Sequence, residues 1–146
     1  MSAKVAAQIA RDSATSETGE YATLSALMCW DAVVHCQVKG GGANPGAILP
    51  LQYDNVIRAV DPTIGSADAM RRVPQGAFIG FFEDPRLIHA MISTGHGMAA
   101  GNKNLCIEIG NPVGWEILNL AGDLSWSGNG VSVGPRALTL RYRAMN

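Results

Sequence analysis

The sequence predicts an α+β domain in which N-terminal helices pack on an antiparallel sheet, and three observations predict it. The apolar residues of the first third recur at helical spacing, with Leu27, Met28, Val33, Val34 and Val38 on one buried stretch. From Ala77 onward the apolar runs shorten and are punctuated by turn residues such as Glu83-Asp84-Pro85 and Gly110-Asn111-Pro112. The end of the chain alternates Leu138, Leu140 and Tyr142 with Arg141 and Arg143, as a strand with one exposed face does. Helices first and strands afterwards is the α+β order.

Taken along the chain, Ala3 to Arg11 is alanine-rich and predicts a short helix, followed by a polar loop over Asp12–Gly19. A buried helix follows from about Ser25, a candidate N-cap, to Val38, stopped by Gly40-Gly41-Gly42. Ala43-Asn44-Pro45-Gly46 is a turn-rich loop, Asp54 to Val60 a second helix, and Ser66 to Arg72 one or two helical turns. Strands are expected at Ala77–Phe82, Leu87–Thr94, Lys103–Ile109, Glu116–Leu120, Ser132–Val133 and Ala137–Arg143. Gly95-His96-Gly97 closes the second of these, and Gly95 to Gly101 is read as a flexible hairpin loop.

Composition narrows the function classes. At 146 residues the chain is one domain, long enough to bury a full core. Eleven basic residues against twelve acidic ones leave no basic footprint for nucleic acid. Three cysteines without a C-x-x-C pair argue against a disulfide framework and a zinc ribbon, so no metal and no cofactor is expected. The N-terminus lacks the basic and apolar regions of a signal peptide, and no apolar run would span a bilayer. The expectation is synthesis in the cytoplasm, with a signal-independent export route left open.

Chemistry points to Cys29, which stands where a helix opens and partial positive charge stabilises a thiolate. A cysteine nucleophile needs an imidazole and a polar group that orients it, and His89 supplies the imidazole from a strand. Cys36 lies seven positions on and is expected in the core, as is Cys106 in mid-strand. His35 is four residues from Asp31, an exposed helical ion pair. His96 is a loop residue or a rival base, and Arg71-Arg72 a solvated helix end. Gly95 to Gly101 does not match a phosphate-binding loop.

The Cys29-Trp30 pair at a helix start resembles the catalytic helix of papain-like cysteine hydrolases. The run Pro74-Gln75-Gly76-Ala77-Phe78-Ile79-Gly80-Phe81-Phe82, a turn, then Ile88-His89-Ala90-Met91-Ile92-Ser93-Thr94-Gly95 is similar to the core of NlpC/P60- and CHAP-type amidases. The resemblance covers roughly residues 25–38 and 74–111. It departs from the NlpC/P60 pattern in lacking an Asp-Cys-Ser-Gly signature and in carrying Ala77 where the family has Asp. Those departures also resemble small bacterial effector amidases and deamidases.

The resemblance implies a papain-like fold with Cys29 as nucleophile, His89 as base and Asn104 as the orienting residue, with Asp123 and then Asn111 as alternatives. The Cys29 backbone N–H and one of Tyr21, Ser25 or Gln52 would form the oxyanion hole. The implied activity is hydrolysis of a peptide or peptidoglycan amide. A protein glutamine or asparagine deamidase toxin, with a cognate inhibitor protein as partner, and a non-catalytic binding module on the same fold are the alternatives.

Overall fold

The computed structural model describes residues 2–16, 19–42, 63–83 and 86–145. The expected helix over 54–60, the Ala43–Gly46 loop and Gln52 lie outside the described residues.

Three helices open the chain: α1 (Ser2–Ser16), α2 (Gly19–Ala26) and α3 (Cys29–Lys39). The first extends into the segment expected to be a polar loop, as far as Ser16. Its polar residues satisfy one another along the helix: Gln8 Nε2 donates to Asp12 Oδ1 at 2.8 Å, and Thr15 Oγ1 donates back to the Arg11 and Asp12 carbonyls. The single helix expected from Ser25 to Val38 is instead two. The chain breaks at Leu27-Met28 because Asn102 Nδ2 donates to the Ser25 and Leu27 carbonyls, and Lys103 Nζ reaches Leu27 O at 3.2 Å. Those acceptors are thereby taken by side chains from across the fold. Ser25 is not a cap; its hydroxyl accepts from the Trp115 N–H at 2.9 Å. Helix α3 does end at Gly40, as expected.

The rest is an eight-stranded antiparallel sheet: β1 (Thr63–Ile64), β2 (Phe78–Glu83), β3 (Arg86–Gly95), β4 (Met98–Asn102), β5 (Trp115–Asn119), β6 (Ser125–Ser127), β7 (Gly130–Val133) and β8 (Arg136–Arg143). Two short helices, α4 (Ala67–Arg71) and α5 (Leu120–Asp123), cover part of it. The strand order is β5-β4-β3-β2-β8-β7-β6, with β1 also on β8. Ser66 caps α4, accepting from the Ala69 N–H at 3.1 Å. This is the α+β class that the sequence predicts.

The expected strand over Lys103–Ile109 is not formed. The strand is β4, in the stretch read as a flexible loop, and Asn104–Ile107 is a 3₁₀ turn. Lys103 and Glu108 flank it with positive φ, so the backbone turns out of the sheet on both sides.

Both faces of the sheet are covered. Phe78, Phe82, Ala90 and Ile92 pack with Ala6, Ala10, Ala32, Val33 and Cys36 of α1 and α3. Ile79, Phe81 and Met91 point the other way, into a core closed by Met70, Leu120, Val131 and Leu138. This two-sided burial is why β2 reads as an unbroken apolar run. Trp115 is buried beside α1 and its indole N–H donates to Ala10 O at 2.9 Å. Burying a side chain of this kind contributes about 1.5–3 kcal/mol.

Candidate functional site

Cys29 is the first helical residue of α3, after Met28 in extended conformation with no side-chain cap. The unpaired N–H groups of this first turn therefore have no competing side chain. The backbone N–H groups of Cys29 and Trp30 at the start of α3, and of Ala90 in β3, favour the charged form of the thiol. The approach is open because β3 pairs with β4 only as far as Ile92↔Ala100, which leaves the edge of β3 before Ile92 to α3.

These donors do not make a resting thiolate. Cys29 is 7% exposed, and desolvation pushes its thiol up to about 11 against the pull of the three N–H groups. Cys29 is therefore a buried neutral thiol and not the thiolate that a helix terminus alone would favour. Burial outweighs the helix terminus because it removes the water that would solvate the charge.

His89 is 1% exposed, in β3 opposite Phe81, with the ring centroids 5.4 Å apart. Asn104 is fully buried, and its Oδ1 lies 2.9 Å from His89 Nε2. The amide's orientation is fixed by its other end: Nδ2 donates to Gly101 O at 3.0 Å and to Glu116 Oε2 at 3.1 Å. Oδ1 can only accept, so His89 carries its proton on Nε2 and Nδ1 is the basic nitrogen. Burial drives His89 down to about 4, with the Asn104 bond opposing that fall. The imidazole is neutral at neutral pH.

The structure thus brings His89 and Asn104 together, and packs α3, which Cys29 opens, against the strand that carries His89. It shows no hydrogen bond between the Cys29 thiol and His89. Alternation along β3 sends Ala90 toward α3 and His89 toward the Phe81 side, so the imidazole lies on the face of the strand opposite α3.

Asn104 occupies a 3₁₀ turn and not a strand. Asn111 lies nearby, its backbone N–H donating to Glu116 Oε2, while Asp123 stands at the end of α5. Of the described oxyanion candidates, Ser25 is engaged by Trp115, and the Tyr21 hydroxyl lies close to Gly114.

Sequence reasoning missed Asn102 and Glu116. Asn102 is buried and ties the α2–α3 junction to β4, and its Oδ1 accepts from the Gly114 N–H at 3.2 Å. Glu116 holds the far end of Asn104. The clustering of Asn102 and Asn104 around Lys103 is the one signal that pointed there. Cys36 is in the core as expected, its thiol pushed up to about 12 by burial. Cys106, expected to be core, is exposed on the 3₁₀ turn. His35 pairs with Glu20 of α2 at 3.0 Å, and not with Asp31, because α2 folds back alongside α3.

No described helix is long and apolar enough to cross a membrane. Among known proteins, no family model, curated protein or solved structure matches this chain significantly, so the site rests on its own geometry.

Proposed function

We propose that the protein is a thiol-dependent amide hydrolase in which Cys29 is the nucleophile, His89 the general base and Asn104 the residue that orients it. The observation that carries the reading is the buried, tautomer-fixed imidazole of His89, held through Nε2 by Asn104 Oδ1, on the strand against which the helix opened by Cys29 packs. With Nε2 engaged, Nδ1 is the nitrogen that takes the thiol proton.

Both groups rest neutral, so proton transfer belongs to the attack on the substrate carbonyl and not to the resting enzyme. The sulfur adds to the carbonyl carbon as its proton passes to His89 Nδ1, and the N–H of Cys29 faces the developing oxyanion. The C–N bond then breaks, and His89 returns the proton to the departing amine. Water, deprotonated by His89, hydrolyses the thioester and restores the thiol.

The surroundings suit an extended substrate. Met28, Leu105 and Val113, beside Cys29, Asn104 and Gly114, are exposed large apolar side chains. Exposed apolar side chains next in sequence to these residues are the kind of surface an extended peptide covers. A peptide or peptidoglycan stem amide is the proposed substrate class.

The test is mass spectrometry of muropeptides and of glutamine-containing peptides after incubation with wild type, Cys29→Ala and Asn104→Ala. The expected result is a new amine and carboxylate pair, abolished in Cys29→Ala and reduced by about a hundredfold in Asn104→Ala. Conversion of glutamine to glutamate without backbone cleavage would assign the same site to a deamidase. Turnover of neither substrate, or turnover unaffected by Cys29→Ala, would overturn the hydrolase and leave the binding module.

A further inference from the structure

At the other end of β3 the Gly95-His96-Gly97 turn borders a cavity of about 700 Å³, within the range that holds small ligands. Its basic groups come from separate parts of the fold: Arg11 from α1, Arg71 from α4, and His96 from the turn itself. Thr94 lies five residues from His89, or about 17 Å along an extended strand, so this cavity is separate from the Cys29 slot.

The lining is one-signed. Among the described residues no carboxylate lines the cavity, while two guanidinium groups and an imidazole do. Arg11 is held by neutral acceptors: Nη1 donates to Thr94 O at 2.9 Å and Nη2 to Gln8 Oε1 at 3.0 Å. Among the described residues no carboxylate lies within ion-pair distance of it, so none of them neutralises its charge. Arg71 shares its charge with Asp68, at 2.6 Å, but Asp68 is well exposed and faces water. His96 has φ +56, a conformation that costs a non-glycine residue energy and here places an imidazole at the cavity mouth.

We infer that this cavity binds a small organic phosphate, its phosphoryl oxygens between Arg11 and Arg71 and its apolar part against Met98 and Ile117. The planar guanidinium fork matches phosphate oxygens, and two such groups on different elements suit a doubly charged anion better than a single carboxylate. Met98 and Ile117 give an apolar wall that inorganic phosphate would leave unused. The inference is independent of the hydrolase reading, because neither Cys29 nor His89 lines the cavity.

Isothermal titration calorimetry of the full chain with phenyl phosphate, benzoate and inorganic phosphate tests it. Phenyl phosphate should bind saturably with a Kd of about 1 mM or tighter, and more tightly than either other probe. Arg11→Gln and Arg71→Gln should each weaken it by about tenfold, which is one charge-assisted contact. Arg71 is half-exposed, so Arg71→Gln keeps the test valid if Arg11→Gln fails to fold. Absence of saturable binding, equal affinity for benzoate, or unchanged affinity in a folded Arg71→Gln would overturn the assignment.

Discussion

Replacing His89 by Gln should flatten the acid limb of the protein's stability profile. An unfolded histidine protonates near 6.5, whereas burial holds folded His89 at about 4. Between those values the unfolded chain binds a proton that the folded chain refuses, so stability falls as pH falls through this window. Above 6.5 both states are neutral at this position and its full stabilisation is present. At 1.36 kcal/mol per pH unit, a gap of about 2.5 units amounts to about 3 kcal/mol lost between pH 6.5 and pH 4.

Glutamine cannot protonate, and its amide can still donate to Asn104 Oδ1, so the variant should lose the pH-dependent part while keeping the contact. The assay is urea denaturation followed by tryptophan fluorescence at intervals from pH 4 to 7.5, comparing the two profiles. Subtraction cancels the carboxylates, which titrate in both proteins. Parallel profiles across pH 4–6.5 would refute the argument, because they would mean that His89 is solvated and can take its proton in the folded state.

Other consequences are directly measurable. Iodoacetamide should label exposed Cys106 first and core Cys36 last, and the rate at Cys29 should keep rising with pH beyond 9, since its thiol sits at about 11; peptide mapping over pH 7–10.5 reads this, and a pH-independent rate at Cys29 would show an ion pair instead. Gly101→Ala should destabilise the fold by about 1–3 kcal/mol in urea titrations, because the new Cβ would stand 2.7 Å from both Asn104 Oδ1 and Met91 Cγ; it should also lower activity by displacing the acceptor of His89. Asn102→Ala should cost about 1–2 kcal/mol by stranding the part-buried Ser25 carbonyl and Gly114 N–H, and should speed Cys29 labelling as the α2–α3 junction loosens.

What the sequence determined by itself was local or periodic. The α+β order, the end of α3 at Gly40, the helical turns over Ser66–Arg72, the spans of β2 and β3 and the alternating last strand follow from spacing and turn residues, which act within a few positions. The place of Cys29 at a helix start was legible too, although the helix begins there and not at Ser25.

Tertiary structure decided what depends on partners far along the chain. Asn102, some 75 residues from Leu27, breaks the first long helix by taking its carbonyls, and no local pattern near Leu27 announces that. Asn104 leaves the sheet because two positive-φ residues turn the chain around it, and its role depends on Gly101 and Glu116 holding its amide. The electrostatics were decided last. A helix terminus favours a thiolate, but only the folded chain shows how little water reaches Cys29 and His89. Desolvation, a property of the whole packing, keeps both neutral at rest.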